Sequence, residues 1–144
     1  MNAYLDSSAL VKLPVREPDS DAVAHELAGC TLFTRRLSYT EARSAIARRE
    51  REVPERSGEW SAARRQLDAD WPACLVIDVK RPLVERAAEF CDSFGLRAYG
   101  AVQLAAAQLA HAALQEPMPF RSHDRRLNRA ARLLGLLLPE GALL

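Results

Sequence analysis

The chain begins with the segment MNAYLDSSAL, residues 1–10, and this segment decides the class of fold. Its opening residues have the composition of a short strand that ends on Asp6. Ser7 and Ser8 then start a helical run that continues over 9–13. A strand that passes directly into a helix is the first half of an α/β unit, so we expect a parallel sheet covered by helices.

The alternation of strands and helices continues along the chain. Further strands are predicted at 30–34, 74–78, 120–122 and 136–138, of which 74–78 has the apolar composition of a buried strand. Helices are predicted at 21–27, 38–51, 57–70, 82–94, 101–114 and 125–134. This pattern predicts an α/β fold with a short parallel sheet and helices on both faces, forming a single domain over residues 1–144.

Composition limits the kind of protein. With 144 residues, of which 49% are apolar, the chain is long enough to bury a core. A net charge of +1 neither favours nor excludes nucleic acid as a partner. The longest apolar-rich stretch, 101–114, is too short to span a membrane, and no secretory signal precedes the first strand, so the cytoplasm is the expected location. Three cysteines without a C-x-x-C pair favour neither a disulfide framework nor a zinc site.

Three acidic residues are expected at one edge of the sheet. Asp6 ends the first strand, Asp124 follows the strand 120–122, and Glu41 lies in the first turn of the helix after the second strand. Because ligands of parallel α/β sheets bind at the carboxyl ends of the strands, these acids are predicted to converge. Carboxylates in one cleft repel each other, and Mg²⁺ or Mn²⁺ relieves the repulsion and serves phosphoryl chemistry.

A purely local role for each acid stays open. Asp6 and Asp124 can cap the helices that follow them. Glu41 can be the reciprocal partner of Ser38 in an S-x-x-E capping box. Other kinds of site lack their motifs, because the chain has no Gly-rich phosphate loop and no G-x-S-x-G elbow. None of the histidines has zinc-ligand spacing, and His123 is interpreted as a loop side chain.

Arginines are concentrated in two regions, 35–51 and 121–132. The planar guanidinium group suits phosphate oxygens, so these regions are candidates for binding a nucleic-acid backbone. Solvated helix faces with glutamate partners are an equally good interpretation.

Four segments resemble the PIN-domain ribonucleases, and most closely the VapC-type toxins of bacterial toxin–antitoxin pairs. They are YLDSSALVKL at 4–13, SYTEARSA at 38–45, LRAYGAVQLA at 96–105 and SHDRRL at 122–127. Their order and spacing cover nearly the whole chain. The resemblance implies a Mg²⁺- or Mn²⁺-dependent endoribonuclease that acts on structured RNA such as tRNA. It also implies a homodimer and inhibition by a cognate antitoxin.

The resemblance also implies roles for individual residues. Asp6 would be a central metal ligand, and Glu41 and Asp124 would complete the acidic cluster. Ser7 and Ser122 would support the site by hydrogen bonding. Arg43 and Arg125 would contact the RNA backbone.

Gly100 departs from the family pattern, which has an aspartate ligand at this position. Glycine is acceptable as the N-cap of the helix 101–114, so the fold is expected to survive. Loss of a charged oxygen ligand would weaken metal binding. The leading interpretation is therefore a nuclease impaired at Gly100, and the alternative is a catalytically silent module that binds RNA or an antitoxin. A phosphatase or receiver-like domain would need a second acid beside Asp6, which the sequence lacks.

Overall fold

A computed structural model describes residues 1–144 and contains one four-stranded sheet. The strands are β1 (Asn2–Leu5), β2 (Thr31–Arg35), β3 (Leu75–Ile77) and β4 (Phe120–Arg121). All neighbouring strands are parallel, in the order β3-β2-β1-β4. The expected α/β fold with a short parallel sheet is confirmed. Because the strands are parallel, the segments that follow β1, β2 and β4 leave the sheet at the same edge.

Seven α-helices and two short 3₁₀ segments connect and cover the strands. The α-helices are α1 (Ser7–Leu10), α2 (Ser20–Leu27), α3 (Ser38–Glu52), α4 (Ser57–Asp70), α5 (Arg81–Phe94), α6 (Ala98–Leu114) and α7 (Arg125–Leu133), and the 3₁₀ segments are Pro54–Arg56 and Trp71–Ala73. No helix has the length and apolar character needed to cross a membrane.

The sheet separates two hydrophobic clusters, because successive side chains of a strand point to opposite faces. Tyr4 of β1 belongs to the cluster that packs against α5, α6 and α7. Its neighbours Ala3 and Leu5 belong to the cluster on the other face, formed with α1, α2, α3 and α4. Helices therefore cover both faces of the sheet, as predicted.

Two strand predictions need correction. The segment 74–78 forms the edge strand β3, in which Leu75 is 50% exposed, so it is not the buried strand expected from its apolar run. An apolar run cannot by itself distinguish an edge strand from a central one. The segment 136–138 forms no strand, and its only β-type backbone pairing is an isolated bridge between Leu137 and Pro119.

Candidate functional site

Asp6 is a buried carboxylate at the carboxyl end of β1, with 4% of its surface exposed. Its Oδ1 accepts hydrogen bonds from Ser8 Oγ at 2.6 Å and from Ala9 N at 2.9 Å, and the second bond caps α1. Its Oδ2 accepts a hydrogen bond from Ser122 Oγ at 2.6 Å. Burial raises the pKa of Asp6, against the opposing effect of the bonds from Ser122 and Ser8. Three donors therefore fix the orientation of this carboxylate.

Glu41 is held by a buried arginine at the end of β2. Its Oε1 accepts a hydrogen bond from Nη2 of Arg35, which is fully buried, while the Glu41 side chain is 24% exposed. The predicted capping box is wrong, because α3 begins at Ser38 and its N-cap, Leu37, makes no side-chain cap bond. The pair with Arg35 compensates the buried guanidinium charge. Nη1 of Arg35 is buried without a hydrogen-bond partner.

Gln103 of α6 links the two sides of the site. In the amide orientation that satisfies its neighbours, Nε2 donates to Tyr4 Oη at 2.8 Å. Its Oε1 then accepts hydrogen bonds at 3.1 Å from Arg35 Nε and from the backbone N of Ser7. The amide thus fixes the buried arginine against the start of α1. The sequence did not indicate Gln103, and it placed Arg35 among the arginines that are candidates to contact a nucleic-acid backbone, whereas the structure buries Arg35 and pairs it with Glu41.

Asp124 is an exposed residue that caps α7. Its Oδ1 accepts hydrogen bonds from the backbone N of Arg126 at 2.8 Å and of Leu127 at 3.1 Å. Its own backbone N donates to Ser122 Oγ at 3.0 Å. The Ser122 hydroxyl therefore connects the start of α7 with the carboxylate of Asp6.

Gly100 lies inside α6 as its third residue, so the expectation that it would be the N-cap is wrong. The N-cap is Arg97, because the helix begins earlier than the apolar pattern indicated. A Cβ atom placed on Gly100 would meet only Leu127 Cδ1 at 3.8 Å, an ordinary van der Waals distance. The backbone therefore has room for a side chain at this position.

An open cavity of about 750 Å³ lies beside Asp6. One wall comes from α1 and the segment after it, and the other from α3. Lining side chains that carry polar groups include Ser8, Lys12, Glu41, Ser44, Arg48 and Tyr99. Since Ser8 both lines this space and donates to Asp6, the buried carboxylate lies directly behind the cavity wall.

Three residues for which the resemblance implied a role are placed differently from expectation. Ser7 lines the cavity, but it is Ser8, whose role the sequence did not indicate, that donates to Asp6. Arg43 lies outside the cavity lining and pairs with Asp68 at 3.3 Å. Arg125, the first residue of α7, is exposed and is also outside the lining.

His123 lies in the loop between β4 and α7, as expected, and its side chain also lines the cavity. Its backbone N donates to Ser8 Oγ at 2.9 Å, and its Nδ1 lies 3.8 Å from Asp19 Oδ2. Burial and the positive charge of Lys12 lower the pKa of His123 from its ordinary value. The imidazole is therefore mainly neutral at neutral pH.

The three acids do not form the cluster expected from the sequence. The structure contains no group of three or more His, Cys, Asp or Glu side chains that could hold a metal ion. Glu41 is held by Arg35, and Asp124 is held by its capping bonds. Carboxylate oxygens are still the donors that Mg²⁺ prefers, and proteins commonly bind this ion through one or two carboxylates together with water and phosphate. A hydrated ion bound with a phosphate would need only one or two of these carboxylates, whereas a closed cage would need more than the structure brings together.

The protein is thus an α/β protein that carries acidic residues at the carboxyl edge of a parallel sheet, beside an open cavity. The sequence pattern of the PIN domain matches residues 3–133. The chain is 33% identical over 135 residues to Ribonuclease VapC46 of Mycobacterium tuberculosis, with 92% of each chain covered.

A solved structure is similar in fold. The crystal structure of PAE2754 from Pyrobaculum aerophilum matches with a TM-score of 0.58 and 19% identity, over 99% of this chain and 82% of that chain. The chain therefore belongs to the PIN domain family, and its resemblance to the VapC-type members is confirmed.

Proposed function

We propose that this protein is a Mg²⁺- or Mn²⁺-dependent endoribonuclease toxin of the VapC type. The observation that carries the proposal is the Asp6 carboxylate, buried, fixed by three hydrogen bonds and bound to Ser8, which lines an open cavity. Burying a carboxylate costs free energy, and carboxylates held in this way are concentrated at sites where they serve a functional purpose. The similarity to a ribonuclease over 92% of both chains supports cleavage of RNA as that purpose.

In this proposal the acids differ in their contributions. Asp6 supplies a fixed anionic oxygen, and Glu41 offers Oε2, since Oε1 is bound to Arg35. Asp124 offers Oδ2, since Oδ1 caps α7. A divalent ion bound there would neutralise charge on the phosphodiester and lower the pKa of a water molecule. Ser8 and Ser122 keep the Asp6 carboxylate oriented.

The substrate and partners are further parts of the proposal. A structured RNA such as tRNA is the substrate, a cognate antitoxin blocks the cavity, and the toxin acts as a homodimer in the cytoplasm. The absence of a carboxylate at Gly100 makes the enzyme weak, because hard cations are held mainly by ligand charge.

The test is cleavage of a tRNA pool in Mn²⁺ and in chelator. We expect slow metal-dependent cleavage by the chain as it stands, and at least about tenfold faster cleavage by Gly100→Asp, equivalent to roughly 1.4 kcal/mol of barrier. Gly100→Asn is the matched control, since it adds the same bulk without the charge. Asp6→Asn should abolish cleavage while the circular dichroism spectrum stays unchanged. If folded wild-type and Gly100→Asp proteins both leave RNA intact with metal, the nuclease proposal is wrong.

A catalytically silent RNA- or antitoxin-binding module is the second candidate. It is favoured by the pairing of Glu41 with Arg35 and by the lack of a three-ligand cluster. Such a module would bind RNA or the antitoxin without cleaving RNA. Metal-dependent cleavage by the wild-type chain, abolished by Asp6→Asn, eliminates it.

A further inference from the structure

The charges that line the cavity are almost completely paired. Lys12 binds Glu17 at 2.8 Å and Asp19 at 2.6 Å, and Arg49 also binds Glu17. These ion pairs leave little net positive charge for a polyanionic ligand.

Arg48 is the exception among the lining residues. It is exposed on α3, lines the cavity, and has no carboxylate partner and no hydrogen bond within the chain. Glu41, Ser44 and Arg48 follow one another at spacings of three and four residues, so they share one face of the helix. This face leads from the acidic end of the cavity to a free guanidinium group, which is suited to bind a phosphate.

Tyr99 offers a flat surface at the acidic end of the cavity. The residue is 64% exposed and lines the cavity next to Gly100. The guanidinium carbon of Arg35 lies 5.3 Å from the centre of its ring. Because Arg35 is fully buried and fixed by Glu41, it supports one face of the ring and leaves the other accessible. An exposed aromatic ring held in this way can stack on a nucleobase.

We propose that Tyr99 and Arg48 select an unpaired segment of RNA, with one base stacked on Tyr99 and a neighbouring phosphate bound to Arg48. This inference rests on the proposed function and adds two residues, Tyr99 and Arg48, that contact the substrate. A base can stack on Tyr99 only if it is unpaired and turned outward, so the preferred target is a loop or a single-stranded stretch and not a continuous duplex.

The phosphate contact is tested by binding of a short single-stranded RNA in chelator at several salt concentrations. Each phosphate contact contributes about 0.7 to the slope of log K against log salt for single strands. We expect Arg48→Gln to lower the slope by about this amount and Arg48→Lys to restore it. The matched control is Arg51→Gln, another exposed and unpaired arginine of α3 that lies outside the cavity lining. Equal changes in Arg48→Gln and Arg51→Gln would show that Arg48 makes no specific contact.

The stacking contact is tested with RNAs that carry one abasic site at successive positions. In the wild-type protein, removal of the stacked base should weaken binding by about tenfold or more, and Tyr99→Leu should weaken binding of the intact RNA similarly. In Tyr99→Leu the abasic site at that position should have no further effect, whereas Tyr99→Trp should keep the wild-type pattern. Additive effects of the abasic site and Tyr99→Leu would overturn the stacking contact.

The binding measurements separate this inference from the nuclease proposal. If the expected pattern is found and no RNA is cleaved, the nuclease proposal fails and RNA selection by Tyr99 and Arg48 stands. If tRNA is cleaved with metal but single-stranded RNA binds no better than a duplex of the same length, the inference fails and the nuclease proposal stands.

Discussion

Gly100 affects the stability of α6 in addition to leaving the proposed metal site without a carboxylate. Glycine inside a helix is less stable than alanine by roughly 0.5–1 kcal/mol, because the unfolded chain loses more conformational freedom on folding. A Cβ at Gly100 meets only Leu127 Cδ1 at an ordinary contact distance. We therefore expect Gly100→Ala to raise the free energy of unfolding by roughly 0.5–1 kcal/mol, measured by urea denaturation.

Gly95 provides the opposite control for that measurement. It ends α5 with φ of 62°, in the left-handed region that L side chains rarely adopt. Gly95→Ala should lower the free energy of unfolding by about 1 kcal/mol. If both substitutions shift stability in the same direction, backbone conformation does not decide the effect at Gly100.

Among single residues, the sequence predicted the acids better than their partners. Asp6 and Asp124 cap helices because an aspartate between a strand and a helix accepts the free N–H groups of the first turn. Arg35 was grouped with solvent-facing arginines, because arginine is almost never fully buried and its pairing with Glu41 depends on tertiary packing. For the same reason the pattern S-x-x-E at Ser38 suggested a local bond that the structure replaces with a contact to Arg35.

At the element scale, helices were predicted more accurately than strands. The helix predicted at 57–70 is confirmed as α4, because its apolar residues recur at helical spacing and Trp71-Pro72 ends it. The edge strand β3 was predicted as buried, since its position in the sheet depends on strand order, which a local pattern does not contain. The short run 136–138 fails as a strand because only one residue of it pairs.

Glu17 connects two elements, and its pH dependence can be predicted. Its carboxylate binds Lys12 and Arg49, and is 15% exposed. Burial tends to raise the pKa of Glu17, but the two cations outweigh it and the pKa lies below its ordinary value of 4.5. A lowered pKa in the folded state gives stability that is fully present above pH 4.5 and is lost as the pH falls through the folded pKa.

We therefore expect Glu17→Gln to lower the free energy of unfolding by about 1–2 kcal/mol at neutral pH. The difference from wild type should shrink as the pH falls below 4.5. The measurement is urea denaturation at several pH values, with Glu140→Gln as the control, because Glu140 is exposed and forms no ion pair. A difference that grows on acidification would contradict the assigned role of Glu17.

At the scale of the whole molecule, net charge was a poor guide to the site. A charge of +1 left nucleic acid undecided, because it does not show how the charges are distributed. In the fold, most cations of the cavity are neutralised by neighbours, and Arg48 is left free. Pairing of this kind joins residues far apart in the chain, so it could not be predicted from sequence spacing.

The two hydrophobic clusters share β1, and this connection predicts how the molecule unfolds. Tyr4 packs into one cluster and its neighbour Leu5 into the other, so loss of the sheet removes support from both. Trp60 lies in the cluster with Leu5, and Trp71 packs against it, so tryptophan fluorescence reports on that face alone. Leu104 lies fully buried in the opposite cluster.

Leu104→Ala should therefore lower the free energy of unfolding by about 2–5 kcal/mol, through lost burial and the cavity left behind. If residues 1–144 unfold as a single cooperative domain, the midpoint by tryptophan fluorescence should move together with the midpoint by far-ultraviolet circular dichroism. Leu67→Ala, in the cluster that contains Trp60, is the matched control and should give coincident transitions in the same way. A fluorescence midpoint that stays at its wild-type value in Leu104→Ala would mean that the two faces of the sheet unfold independently.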